Sequence, residues 1–169
     1  WMNRFAELNA SADFGKAIEM EYGAVLRAGG NNTKGQIKAD SLIMNFGAIV
    51  EFDIYADEFA ADRIVLSHSL ALNSTNKSDA PQYKNPVFRF VSHISDGKDL
   101  MPAGKYLLMD VTEIDGDLEK VDIEGLEGLR CHLESDGQHV YLVIEDLRAA
   151  STIYWNGSSD SNVWDLAST

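Results

Sequence analysis

Five ionisable residues in the middle of the chain have types and spacings that could support chemistry on a polysaccharide. They are Asp53, Asp57, Glu58, Asp62 and Arg63. Glycoside hydrolysis needs two carboxyl groups that converge from fixed elements, and lyase chemistry also needs a base such as Arg or Lys in a groove. With 27 acidic residues in the chain, however, acidic clusters are expected by chance. We therefore predict no catalytic residues and retain a polysaccharide-degrading enzyme as the alternative.

The histidines do not have the spacing of a metal site. His68, His93, His132 and His139 lie far apart in the sequence, and a zinc site needs several converging ligands with supporting hydrogen bonds. An Asp-Gly pair at residues 136–137 separates the last two histidines and favours a tight hairpin turn. We accordingly predict that His132 and His139 form a simple cross-strand pair.

Other signatures of bound ions or cofactors are missing from the sequence. Residues 113–119 concentrate carboxylates, but they lack the spacing of an EF-hand loop and the tandem glycine-aspartate nonapeptides of calcium-binding β-rolls. A solvated acidic turn is the better interpretation. No Ser-His-Asp order, glycine-rich phosphate loop or nucleotide motif stands out. The sequence predicts neither a metal nor a cofactor.

Composition narrows the class of protein. The chain has 169 residues, enough for one domain with a sizeable core, and a formal net charge of −13. Nucleic acids and anionic lipid surfaces need clustered Lys and Arg, so both are disfavoured as partners. No apolar run approaches the roughly 18 residues of a membrane helix. The single cysteine, Cys131, excludes an intrachain disulfide, and its apolar neighbours predict a buried inert thiol.

An internal repeat indicates how the elements are arranged. Residues 18–28 (IEMEYGAVLRA) align without a gap with residues 42–52 (LIMNFGAIVEF), at an offset of 24. Residues 62–72 (DRIVLSHSLAL) give a weaker third copy at an offset of 22 from residues 40–50. Short alternating apolar segments at such a period predict an all-β solenoid, specifically a right-handed parallel β-helix. Tyr22 and Phe46 are expected to stack inside it, with Gly23 and Gly47 at equivalent positions.

The rest of the chain departs from this period. We predict three parts: β-helix coils over residues 1–72, a terminal coil and antiparallel β cap over residues 73–148, and the start of a following Trp-containing module or linker over residues 149–169. A cap has a physical role, because an uncapped solenoid exposes apolar coils and free strand edges.

The chain resembles the passenger regions of autotransporter-like bacterial surface proteins. The resemblance rests on three parts in order: the coil segments GAVLRAGG, KADSLIMNFGAIVEFDI and ADRIVLSHSLAL, then PAGKYLLMDV with SDGQHVYLVI, and finally IYWNGSSDSNVWDLAST. It covers most of residues 18–169 as a pattern rather than residue by residue. It implies a right-handed β-helix on the outside of a Gram-negative-type cell and carries over no catalytic residues.

These observations predict a non-catalytic segment of a bacterial cell-surface or secreted protein. We expect an adhesin or stalk segment of a longer exported protein, without membrane insertion of its own, that presents its lateral surface to host or cell-surface glycans or proteins. The alternative is a carbohydrate-active module, either a glycan-binding β domain or a β-helix lyase or hydrolase. A purely structural spacer is a third hypothesis.

Overall fold

The computed structural model describes residues 2, 6–30, 33–73, 85–94 and 101–145, and this part of the chain is all-β. The only helical segments in these ranges are two short 3₁₀ turns, Ala56–Glu58 and Leu118–Lys120. The prediction of an all-β chain with parallel strands is confirmed. The strands are β1 (Glu7–Ala10), β2 (Ala12–Asp13), β3 (Ile18–Met20), β4 (Val25–Gly30), β5 (Thr33–Lys34), β6 (Gln36–Ala39), β7 (Leu42–Met44), β8 (Ile49–Tyr55), β9 (Ala60–Ala61), β10 (Arg63–Leu66), β11 (Ser69–Leu72), β12 (Val87–His93), β13 (Gly104–Asp110), β14 (Glu113–Asp115), β15 (Asp122–Glu124), β16 (Cys131–Ser135) and β17 (His139–Ile144).

The strands form three sheets. The first sheet has the order β1-β4-β8-β12-β15, with β5 and β9 attached to β4 and β8. The second sheet has the order β2-β6-β10-β13-β17-β16, and the third has the order β3-β7-β11-β14. The chain visits the first, second and third sheets in turn, four times over. On each pass, the new strand pairs in parallel with the strand of the previous pass.

One apolar core lies between the three sheets, because alternate residues of each strand point the same way. Strand β6 is a clear case, since its side chains alternate between exposed and buried. All three sheets contribute to a single cluster of buried apolar side chains. Its largest fully buried members are Tyr106, Phe52, Phe88, Met20, Leu26, Ile37, Leu42, Met44, Ile54, Ile64, Leu70 and Leu108.

The 24-residue offset between residues 18–28 and 42–52 matches the observed pairing of the strands in these two segments. Strand β3 pairs with β7, and β4 with β8, at that offset. The Gly23 N–H donates to the Gly47 carbonyl at 2.9 Å, and the Tyr22 and Phe46 ring centroids lie 6.3 Å apart. Gly47 has a φ of +68°, and a Cβ there would lie 2.3 Å from the Tyr22 ring, so only glycine fits. The prediction that the two rings are inside the core is wrong, because both are only half-buried.

The 22-residue alignment of the third copy is wrong. Ile64 pairs with Ile37, and the partner of Leu42 is Leu70, so the offsets are 27 and 28. The added length lies at the corner between the first and second sheets, where the 3₁₀ turn Ala56–Glu58 and the short strand β9 fold back against β8. The turn ends at Phe59, which has a left-handed φ of 49° and stacks on Tyr106.

Parallel pairing continues beyond Leu72. Strands β12, β13 and β14 pair in parallel with β8, β10 and β11, and β15 then pairs in parallel with β12. Antiparallel pairing was expected over residues 73–148. Among the described strands of that range, it occurs only where β17 pairs with β13 on one side and with β16 on the other. The proposed module at residues 149–169 lies outside the described residues, and the three-part division of the chain remains a prediction.

A hairpin joins β16 and β17 at the predicted Asp-Gly pair, but its loop is longer than the expected tight two-residue turn, because the last paired residues are Ser135 and Val140. Gly137 has a φ of +91°, and the Asp136 carboxylate accepts the N–H groups of Gln138 and His139 at 2.9 and 2.8 Å. The Gln138 N–H, the His139 side chain and the His139 N–H hold the pKa of the Asp136 carboxyl well below its usual range. The Asp136 carboxylate therefore stabilises the turn by accepting hydrogen bonds from its backbone.

A search for membrane-crossing helices gave a negative result. None of the described helical segments has the length and apolar character that a bilayer span requires.

Candidate functional site

The structure separates the five residues that the sequence grouped. Asp53 and Asp62 lie together at the corner between the first and second sheets. Asp57 and Glu58 belong to the exposed 3₁₀ turn nearby. Arg63 begins β10 in the second sheet, where its guanidinium makes a two-bond contact with the carboxylate of Asp110, at 2.9 and 2.7 Å. It is therefore committed to a structural ion pair and does not complete the acidic cluster.

Strand alternation explains why Asp53 faces away from the core. In β8, Val50, Phe52 and Ile54 point inward and are fully buried. Glu51 and Asp53 point to the outer face, yet they are also buried, at 6% and 4% exposure. Neighbouring strands and the folded-back corner cover them. Their carboxylates are thus held in a low-dielectric environment and need partners.

Asp62 is a structural carboxylate. It is completely buried; one oxygen accepts the Gly35 N–H at 2.8 Å and the other accepts the Asp53 N–H at 3.1 Å. Burial raises the pKa of Asp62 from 3.8 to about 6, although the two N–H donors oppose that shift; the charge of Asp53 adds to it. A saturated and inaccessible carboxylate of this kind cannot contact a polysaccharide. The position of Asp62 therefore does not suit a catalytic carboxyl in the alternative of a polysaccharide-degrading enzyme.

His93 joins this corner from the neighbouring strand, a contact that the sequence did not indicate. Its Nε2 lies 3.2 Å from Asp53 Oδ1, and its ring stacks on Tyr55 with centroids 5.0 Å apart. The Nε2–Oδ1 contact does not have hydrogen-bond directionality. Within the described residues, His93 Nε2 and the Tyr55 hydroxyl are buried without a hydrogen bond. The pairing of β12 with β8, which places His93 opposite Tyr55, brings the groups together.

A shallow cleft opens beside this corner. It encloses about 270 Å³ and is lined by Tyr55, Asp57, Glu58, His93 and Ile94. The ammonium group of Lys34 lies 5.4 Å from the centre of the Tyr55 ring and pairs with Glu58. Burial, with the charges of nearby carboxylates, raises the pKa of the Tyr55 hydroxyl to about 12, so it stays protonated near neutrality. The cleft offers carboxylate acceptors and aromatic surface, which are contacts that suit hydroxyl or ammonium groups.

The other three histidines each lie beside an acidic side chain. His68 Nδ1 lies 2.6 Å from Asp40 Oδ1 and 3.3 Å from Ser67 Oγ. A catalytic triad needs the acid and the nucleophile on opposite ring nitrogens, so this contact is not one. Among the described residues, no three His, Cys, Asp or Glu side chains are arranged to hold a metal ion.

The prediction that His132 and His139 form a cross-strand pair is wrong. His132 lies opposite Val143, and His139 lies opposite Asp110. A two-residue turn at residues 136–137 would have placed His139 opposite Glu134 rather than His132, and the longer observed loop moves His132 opposite Val143. Each histidine instead contacts an acid: the nearest His132–Glu145 and His139–Asp136 atoms are 3.5 and 2.9 Å apart.

Two other sequence expectations concern isolated residues. Cys131 lies half-buried in β16, and burial and the nearby Glu145 raise the pKa of its thiol, which disfavours the reactive thiolate. In the acidic segment 113–119, Glu113 and Asp115 are exposed. Asp117 accepts the Glu119 N–H at 3.0 Å and lies 3.4 Å from the Lys120 ammonium group. Because Glu113 and Asp115 belong to β14, the predicted solvated turn is confined to the residues that follow that strand.

An ordered row of charges crosses the outer face of the first sheet. Arg27, Glu51, Arg89 and Glu124 occupy the same register position on four adjacent strands. Arg27 Nε donates to Glu51 at 2.6 Å, and Arg89 Nη2 donates to Glu124 at 2.9 Å. Arg89 also lies 3.8 Å from Glu51, and Glu7 on β1 accepts from Arg27 at 3.0 Å. We call Glu7, Arg27, Glu51, Arg89 and Glu124 the charge ladder; its signs alternate strand by strand.

The charge ladder has a buried centre and exposed ends. The Glu51 side chain is 8% exposed, whereas the side chains of Glu7 and Glu124 are 58% and 40% exposed. The central carboxylate therefore depends on its two arginines, and the outer carboxylates remain accessible to solvent.

Comparison with known proteins adds no assignment: neither a protein-family model nor a curated protein sequence matches the chain.

Proposed function

We propose that this chain is a non-catalytic display segment of a bacterial cell-surface or exported protein, built as a short right-handed parallel β-helix. The observation that carries the proposal is the cyclic order of the three sheets, in which each pass pairs in parallel with the one before. Stacked passes around one core make a rigid body with a long lateral surface and few deep pockets. Such a body suits adhesion or support on the outside of a cell.

Two further features support display rather than turnover. At the acidic corner, which contains Asp53 and Asp62, the more buried carboxylate is that of Asp62, and it accepts hydrogen bonds from two backbone N–H groups. Corners between sheets carry the extra length of the chain, and the corner at Ala56–Glu58 presents exposed Asp57 and Glu58. Inserted loops on one face of a stacked-repeat protein are commonly its contact surface. The partners would be glycans or proteins of a host or neighbouring cell.

The cleft beside Tyr55 and His93 favours one alternative function, a carbohydrate-active module. Its aromatic surface and its carboxylates at Asp57 and Glu58 have the chemistry to bind sugar hydroxyls. In a catalytic version, the reacting carboxylates would be Asp57 and Glu58, which line the cleft, because Asp53 and Asp62 are buried at 4% and 0% exposure.

A paired binding and turnover experiment tests the proposal. The purified chain would be applied to glycan arrays and to immobilised cell-surface proteins, and in parallel to polysaccharides with detection of released reducing ends. The cleft variant Asp57→Asn/Glu58→Gln would be compared with Glu113→Gln/Asp115→Asn, which alters two exposed carboxylates in the third sheet.

The outcomes separate the functions. Specific binding without product release supports display, and its loss in the cleft variant alone identifies the cleft as the contact. Product release that disappears in the cleft variant and persists in the control variant contradicts the proposal and establishes the enzyme. Absence of binding in every format contradicts adhesion and leaves a structural spacer.

A further inference from the structure

The charge ladder ends on a carboxylate at both edges of the first sheet. Within the described residues, β1 pairs only with β4 and β15 pairs only with β12, so each has one edge without a strand partner. Glu124 marks the β15 end and Glu7 marks the β1 end. Unpaired backbone N–H and C=O groups at a sheet edge are a template for another strand.

We propose that the β15 edge binds a parallel β-strand of a partner protein that carries Arg or Lys level with Glu124. A cation at the next position would continue the alternation Arg27, Glu51, Arg89, Glu124. Opposite charges on directly paired residues stabilise a sheet, and like charges destabilise it. The Glu124 side chain keeps 40% of its surface exposed after pairing with Arg89, which leaves it available on its outer side.

A second copy of this chain does not fit the same edge. The register runs from Glu7 through Val25, Ile49 and Val87 to Asp122, and from Asn9 through Arg27, Glu51 and Arg89 to Glu124. If β1 of one copy continued the sheet at β15 of another, Glu7 would face Asp122 and neutral Asn9 would face Glu124. The direct pairing of two carboxylates opposes head-to-tail stacking. The edge therefore discriminates between a basic partner strand and the protein itself.

This inference deepens the proposed function, since it concerns how a display segment joins its neighbour, and it rests on the same stacked pairing. Its test is separate from the glycan and turnover assays. Failure of the edge to accept a basic strand would leave those binding results unchanged.

The experiment supplies the basic strand from the chain itself. The full-length variant Glu7→Lys/Asn9→Arg converts β1 into a strand with Lys facing Asp122 and Arg facing Glu124. Because Asn9 pairs with Arg27, the new Arg places like charges on β1 and β4, and hydrogen exchange of the β1 amides is used to verify that β1 stays paired with β4. A head-to-tail contact of this kind does not close on itself, so assembly grows with concentration. Sedimentation at low salt should show a weight-average mass that rises with protein concentration well above that of the unmodified chain. The increase should shrink near 1 M salt, where the Debye length is about 3 Å.

Two comparisons make the result specific. The control Asp57→Lys/Gln138→Arg makes the same change in net charge on exposed turns that do not adjoin β1 or β15 in the sequence, and it should sediment like the unmodified chain. Adding Glu124→Gln to the edge variant removes the receiving charge and should weaken its assembly, while far-ultraviolet circular dichroism verifies folding of every variant. The proposal is overturned if the edge variant associates no more than the control, or if Glu124→Gln leaves its assembly unchanged.

Discussion

Asp62 accepts the backbone N–H of Asp53 at 3.1 Å and so joins two points nine residues apart across a corner of the fold. Its other oxygen accepts the Gly35 N–H from the preceding pass of the chain. One buried carboxylate therefore connects the strand that enters the corner, the strand that leaves it and the pass that lies beneath. The corner owes its shape to this side chain rather than to apolar packing alone.

Replacement of Asp62 by Asn should destabilise the protein. Asparagine retains one acceptor oxygen, so either the Gly35 N–H or the Asp53 N–H loses its acceptor and faces an amide N–H group. A buried donor without an acceptor costs about 1–3 kcal/mol, and the free energy of unfolding from urea titration should fall by about that amount. Asp115→Asn changes an exposed carboxylate and should alter stability by less than about 0.5 kcal/mol. Equal stability of the two variants would contradict the role given to Asp62.

The same residue should impose a pH dependence between pH 4 and pH 6. The pKa of Asp62 is raised from 3.8 to about 6 in the folded protein, so the folded state binds the proton more tightly than the unfolded state. Its contribution to stability is then fully present below about pH 3.8 and is lost as the pH rises through about 6. The stability difference between the unmodified chain and Asp62→Asn should grow as the pH falls through this window. A difference that rises with pH would contradict the assignment.

Replacement of Arg27 alone should lower the free energy of unfolding more than replacement of Arg27 and Glu51 together. Arg27→Met leaves Glu51, at 8% side-chain exposure, with only the more distant Arg89. We expect a decrease of about 1–3 kcal/mol in the free energy of unfolding, because a buried carboxylate loses a charged hydrogen bond. The double variant Arg27→Met/Glu51→Met should recover part of it.

An exposed pair provides the comparison for this cycle. Lys105 and Glu134 lie 2.7 Å apart with side chains 54% and 42% exposed. Lys105→Met should cost less than about 1 kcal/mol. Equal effects at the two sites would show that burial of Glu51 has no energetic role.

Two glycines near the end of β15 should respond differently to the same substitution. Gly125 and Gly128 have nearly equal φ values, +86° and +85°, so alanine meets the same backbone strain at both, about 1–2 kcal/mol. At Gly125, a Cβ would also lie 2.1 Å from the Phe90 carbonyl oxygen, whereas no atom lies within 4 Å at Gly128. Gly125→Ala should therefore lower the melting temperature distinctly more than Gly128→Ala. Identical shifts would mean that the chain does not approach β12 so closely.

The register of the early strands was predictable because β3 and β7, and β4 and β8, are separated by the same offset of 24 residues. Residues that are equivalent in sequence, such as Ile18 and Leu42, are then equivalent in space. The third pass could not be aligned in this way, because its corner contains the Ala56–Glu58 turn and an antiparallel return to β8. A local insertion of this kind changes the apparent period without altering the pattern of apolar residues.

The acidic corner was only partly predictable. The sequence identified Asp53 and Asp62, but it could not assign Asp62 its backbone partners, since these depend on how the corner folds back. His93 lies 40 residues after Asp53 and reaches it only through the pairing of β12 with β8. The alternation of β10 also places Arg63 against Asp110 rather than against the acids that precede it in the sequence.

The corner at Ala56–Glu58 also has a practical consequence. The offset between paired strands rises there from 24 to 27 residues, while the first three residues of β8 and all four residues of β10 still pair in parallel with β4 and β6. The added length is thus absorbed by the 3₁₀ turn and the short strand β9, and side-chain alternation on either side is undisturbed. A foreign epitope or affinity tag grafted between Asp57 and Glu58 would be held at both ends by rigid strands, which makes this corner a natural point for vaccine or sensor engineering.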